Sequence, residues 1–135
     1  MARPVYEIIY SKLQKVLGDL SQLPDSMKLE APGFMDLSMN VLERESDHIR
    51  IALSHYYSQN GDLVPDPDME IRIFPESEMA EAMTYQDSYS YQEVYPTPQT
   101  VSPRLKVELN RFLNQWLTNI IDQKHKPVQS KSHTA

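Results

Sequence analysis

From Pro103 to Asp122 the apolar residues Leu105, Leu109, Phe112, Leu113, Trp116, Leu117, Ile120 and Ile121 recur at helical spacing and form one stripe. A helix with such a stripe is stable only when a second layer covers it. Ser102 supplies an N-cap and Pro103 a first helical residue whose missing N–H costs nothing there. The opposite face, with Lys106, Asn110, Arg111, Asn114, Thr118 and Asp122, reads as solvated. Leu109, Phe112, Leu113, Trp116 and Leu117 lie within about 140° of one another on the helical wheel and are expected to pack on a sheet.

That sheet is legible upstream. In residues 37–41, 49–53 and 69–74 apolar side chains mostly fall at every second position, as half-buried strands require. Arg44-Glu45-Ser46-Asp47 is short enough to close a hairpin, and Pro75 ends the third strand. Residues 79–85 predict a fourth strand and residues 89–95 an edge strand, broken by Pro96 and Pro98. Tyr6, Ile9, Tyr10, Leu13, Val16, Leu17 and Leu20 predict an N-terminal amphipathic helix, and residues 21–33 read as a connection. The pattern predicts an α+β fold: an antiparallel sheet of four to five strands packed against N-terminal and C-terminal helices. Residues 1–122 form the single domain, and residues 123–135 are a disordered polar tail with nothing to bury.

Composition narrows the chemistry. The chain has no cysteine, which removes disulfides, thiolate nucleophiles and Cys-based zinc sites. Its net charge of −6 is unevenly spread: residues 19–93 carry four basic and sixteen acidic side chains, whereas residues 94–135 carry six basic and two acidic ones. An acidic middle is the wrong surface for tracking phosphates, so nucleic acid is not an expected partner there. A basic surface would have to use Arg104, Lys106, Arg111, Lys124, Lys126 and Lys131, six charges over about thirty residues. The opening residues lack the apolar core of a signal peptide, and no apolar run approaches the roughly 20 residues of a membrane span. The expectation is a cytoplasmic protein with no membrane association.

Met69-Glu70-Ile71-Arg72-Ile73-Phe74, Met79-Ala80-Glu81-Ala82, Tyr95-Pro96 and Leu109-Asn110-Arg111-Phe112-Leu113-Asn114-Gln115-Trp116-Leu117 follow one another in an order and spacing that resemble the YqiB-like family, bacterial proteins of unknown function. The opening helix, with Tyr6, Tyr10, Leu13 and Leu17, is also similar. At the end of the third strand Phe74-Pro75-Glu76 stands in place of the Tyr-His-Asp step associated with that family. The resemblance implies a whole-domain fold in a bacterial cytoplasm and carries no activity with it.

Two groups of residues could carry chemistry. Asp62, Asp66 and Asp68, with His55 nearby and Glu70 beyond, could offer oxygen ligands to Ca²⁺ or Mg²⁺ and serve a metal-dependent hydrolase. Their spacing is not that of an EF-hand loop, and Asn60-Gly61 and the Asp-Pro steps make turns in any case. His48 and His55 bracket one strand at odd separation and should face opposite sides, while His125 and His133 fall in the tail, so a shared histidine site is not expected. The second group is Tyr85, Tyr89, Tyr91 and Tyr95, beside Asp87 and Glu93 rather than a basic groove. Tyrosines in that setting suit packing and protein interfaces. No nucleophile elbow, P-loop, dinucleotide fingerprint or zincin motif occurs, and no cofactor is implied. The reading is a non-enzymatic binding or regulatory protein that uses those tyrosines on a protein partner or another copy of itself; the hydrolase is the alternative.

Overall fold

The structure, a computed structural model, describes residues 4–128, and for residues 57–59 and 62–66 the backbone alone. Its elements are α1 (Val5–Leu17), a 3-10 turn (Leu20–Gln22), β1 (Ser26–Glu30), β2 (Leu37–Arg44), β3 (Ile49–Gln59), β4 (Asp62–Phe74), β5 (Met79–Ala82), β6 (Thr84–Gln86), β7 (Tyr91–Glu93), α2 (Pro103–Asp122) and β8 (Lys126–Pro127). The strands form one antiparallel sheet in the order β7-β6-β4-β3-β2-β1-β8, with β5 and β6 end to end along β4. The α+β architecture stands, but the sheet has eight strands among the described residues.

Alternation separates the two faces of the sheet. Leu37, Met39, Ile51, Leu53, Met69, Ile71, Ile73, Ala80 and Ala82 are buried with Ile9 and Leu13 of α1 and Leu109, Leu113, Trp116 and Leu117 of α2. The intervening side chains of β2, β3 and β4, among them Asn40, Arg50, Asp68, Glu70 and Arg72, leave the other face, which no helix covers among the described residues. The long β3–β4 hairpin closes on Asn60 (φ 53°) and Gly61 (φ 87°), left-handed residues that suit the twist of a two-residue turn between Gln59 and Asp62. Ser102 caps α2 as expected, its hydroxyl accepting from the Leu105 N–H.

Five features differ from the sequence reading. Residues 21–33 are not only a connection: β1 runs through them, with Met27 and Leu29 on the core side, a pattern too short to stand out between Pro24 and Pro32. The fourth predicted strand is two, because Met83 interrupts it while its N–H still bonds Glu70 on β4. Part of the expected tail is packed. His125 is buried, and Lys126 and Pro127 pair with Glu30 and Leu29, so the fold runs on to Val128; the rest of the expected tail lies outside the described residues. On α2, Asn110 is only 2% exposed although it falls on the polar face, and Phe112 is 37% exposed although it falls in the apolar stripe. The hairpin strands β3 and β4 are also longer than their apolar cores.

Candidate functional site

The uncovered face changes character toward β7. At one end, register places Arg72 of β4 opposite Glu81 of β5. The Arg72 guanidinium donates to Glu81 Oε2 from Nη2 (2.8 Å) and Nε (3.2 Å). The Tyr95 hydroxyl donates to Glu81 Oε1 at 2.6 Å, and Lys106 Nζ, reaching over from α2, lies 3.2 Å from the same oxygen and 2.6 Å from the Tyr95 hydroxyl. Arg72 also lies over the Tyr95 ring, and Lys106 over those of Tyr6 and Tyr95. A cavity of about 100 Å³ between Tyr6, Phe74, Met79, Ala80, Glu81 and Lys106 adjoins the cluster.

The electrostatics of this cluster fix its charges rather than mobilise them. Burial pushes the Glu81 carboxyl up, but the hydrogen bonds from Tyr95 and Arg72 and the charges of Arg72 and Lys106 outweigh it and hold the group below its usual range. Burial lowers the Lys106 ammonium, and Tyr95 and Glu81 more than offset this and raise it. Tyr95 is raised, by burial first and by Glu81 second. Both shifts on the ionic partners favour the charged form, so the group is a clamp between β5, the start of α2 and the segment after β7.

Beyond the clamp, toward β7, carboxylates and tyrosines share the open face. Tyr91 and Glu93 pair in register with Gln86 and Thr84, and the Glu70 N–H donates to the Thr84 hydroxyl. Arg50 donates to Glu70 at 2.6 Å. The Tyr56 hydroxyl donates to Asp68 Oδ2 at 3.2 Å. Burial raises the Asp68 carboxyl, the Tyr56 bond lowers it, and the charge of Glu70 adds to the rise. Tyr91 is raised by burial and by the charges of Glu93 and Glu70, which shows the negative field at this end of the sheet.

The four tyrosines therefore do different things. Tyr85 faces the helices, its ring edge-on to Phe112 at 5.2 Å and its hydroxyl donating to Asp87. Tyr95 belongs to the clamp. Tyr89 is 95% exposed at the tip of the β6–β7 hairpin, and Tyr91 is 54% exposed on β7. The tip is braced by Asp87, whose Oδ1 accepts from the backbone N–H groups of Tyr89 and Ser90. β7 is the terminal strand of the sheet.

Of the acidic loop set only Asp68 has a described side chain, and it is not brought together with His55. His55 faces the helices: its Nδ1 lies 2.9 Å from the Asp36 carbonyl, and its ring packs edge-on to Trp116. Asp68 leaves the other face. Asp62 and Asp66 begin and continue β4, and their side chains lie outside those described. Among the described residues no group of three or more His, Asp and Glu is placed to hold a metal ion. His48 does face away from His55, packing against Phe74. Sequence reasoning missed His125, whose ring lies 5.5 Å from that of His55 with Nε2 2.8 Å from the Met35 carbonyl; His133 is outside the described residues. Of the basic residues considered for a phosphate surface, Arg104 pairs with Glu108 and Lys106 with Glu81, while Lys131 is outside the described residues.

The sequence profile of a domain of unknown function, DUF6908, matches residues 8–126, which runs from within α1 through β1 to β7 and α2 to the first residue of β8. The chain belongs to that family. An uncharacterised-domain family is what the sequence led us to expect; the match is to DUF6908 and lends nothing to the YqiB-like assignment. No curated protein and no solved structure matches the chain. Both the clamp and the tyrosine-bearing hairpin lie inside the DUF6908 span, and so does His125. Among the described residues of this DUF6908 domain no helix is long and apolar enough to cross a membrane.

Proposed function

We propose that this DUF6908 protein is a non-enzymatic binding module that offers the β7 edge, with Tyr89 and Tyr91, to a protein partner. The observation that carries the reading is the combination of a terminal strand with two solvent-facing tyrosines on a braced hairpin. A terminal strand presents unpaired backbone groups, which an extended segment of another chain can complete, and large aromatic side chains supply contact area at little cost in rotamer entropy. The clamp supports the reading twice. It ties the segment leaving β7 to α2, so the edge is held rigid. Its carboxylate and ammonium are also both shifted away from neutrality, whereas an acid or base turning over near pH 7 works best with a pKa close to it. We place the protein in a bacterial cytoplasm on the strength of the YqiB-like resemblance of residues 69–117.

Capture of partners from the source organism with the wild-type protein and with Tyr89→Ala/Tyr91→Ala, alongside the solution mass of each, tests this. A partner, or a dimer, present with the wild type and lost with the folded double variant is the expected result. A wild-type monomer whose retained proteins are unchanged by the double variant contradicts it.

A further inference from the structure

The open face beside β7 combines three carboxylates with two tyrosines, and that combination has a chemical preference. Asp68, Glu70 and Glu93 project there with Tyr56 and Tyr91. Arg50 neutralises Glu70, but among the described residues no cation pairs with Asp68 or Glu93. A half-buried carboxylate without a counter-ion gains when one arrives, because its attraction is less screened than that of a fully exposed group. The exposed faces of Tyr56 and Tyr91 can at the same time accept a guanidinium or ammonium through their ring quadrupoles. The same features disfavour nucleic acid, since phosphates would meet carboxylates. They also disfavour a second copy, which would bring its own Glu93 to the seam, and like charges across a ladder destabilise it.

We infer that the segment taken up at β7 is extended and rich in lysine or arginine, its backbone pairing with the strand while alternate side chains reach Glu93 and the Tyr91 ring, within the negative field of Asp68 and Glu70. This rests on the reading of β7 as a partner edge and adds the chemistry of the partner. In an extended strand side chains at every second position share one side, so a segment with a basic residue at alternate positions would set successive charges over the face.

The test uses the full chain and two eight-residue peptides, one alternating Lys with Thr and the other alternating Gln with Thr, titrated at low and at physiological salt. The Lys peptide is expected to bind about tenfold more tightly than the Gln peptide, to weaken as salt rises, and to lose that advantage with Glu93→Gln. Equal binding of both peptides, lost with Tyr91→Ala, would overturn the cationic preference and leave strand uptake standing. Failure of both peptides to bind would also overturn it, and if Tyr89→Ala/Tyr91→Ala also left partner capture unchanged the edge reading would fall with it. Self-association that rises with protein concentration and competes with the Lys peptide would overturn it in favour of a second copy.

Discussion

Tyr95 donates its hydroxyl to Glu81 at 2.6 Å, and so joins the segment that follows the edge strand to a carboxylate on β5 that also holds Arg72 and Lys106. Truncating the centre of that arrangement leaves two half-buried cations facing each other. Glu81→Ala is expected to cost about 2–4 kcal/mol, less than for a fully buried pair because Lys106 is partly solvated. Urea unfolding at neutral pH measures it.

The same group gives stability a pH dependence of known sign. Glu81 is held below its unfolded value, so its contribution is complete above the unfolded pKa and is lost as pH falls through the folded one. The stability gap between wild type and Glu81→Ala is therefore expected to narrow on acidification through that window. Unfolding curves in a series of buffers from neutral to acid check it, and a gap independent of pH would contradict the clamp.

Asn110 and Asn114 are one helical turn apart on α2 and look equivalent in sequence. Asn110 Oδ1 accepts from the Ala82 N–H at the β5 edge (2.8 Å), and its Nδ2 donates to the Lys106 carbonyl. Asn114 accepts from Lys12 Nζ in a partly solvated contact. Asn110→Ala should cost about 1–3 kcal/mol by orphaning a buried donor, and Asn114→Ala less than about 1 kcal/mol. Thermal or chemical denaturation of the two variants separates them.

Within the apolar stripe the expected costs also divide. Trp116 is buried against His55, so Trp116→Ala should lose about 3–5 kcal/mol. Phe112→Ala removes a partly exposed ring and its edge contact with Tyr85, and should lose about 1–2 kcal/mol. Equal costs would place Phe112 in the core after all.

What the sequence conveyed was whatever depends on period. The alternation at 49–53 and 69–74 and the helical stripe at 105–121 identified the strands β3 and β4 and the helix α2, because burying one face dictates the spacing. β1 and β8 were not legible, since five and two residues are too few to show a period and each exists only through pairing with its neighbour. Period also misjudged Asn110 and Phe112: β5 reaches the flank of α2 and buries one, while the stripe outruns the sheet and exposes the other. At the candidate site the tyrosines were visible as a group, but their division into a helix-facing Tyr85, a clamped Tyr95 and an open pair depends on strand register. Glu81 was not singled out in the sequence, because its role depends on Arg72, Tyr95 and Lys106 being brought around it.

His125 offers a check on where the domain ends. Its ring packs near His55 and Phe34, and it contacts the carbonyls of Met35 and Ile120. Ending the chain after Asp122 should destabilise it by about 1–3 kcal/mol, whereas ending it after Val128 should keep these contacts. Melting temperatures of the two truncations decide between a tail and a packed segment.

The central claim, that the β7 edge receives a partner strand, is tested most directly by amide hydrogen exchange of the protein with and without the captured partner or the Lys peptide. Slowed exchange centred on residues 91–93 and the adjoining β6 is the predicted result, because a new strand would bond the free edge. Protection confined to α1 and α2, with the exchange of residues 91–93 unchanged, would contradict it.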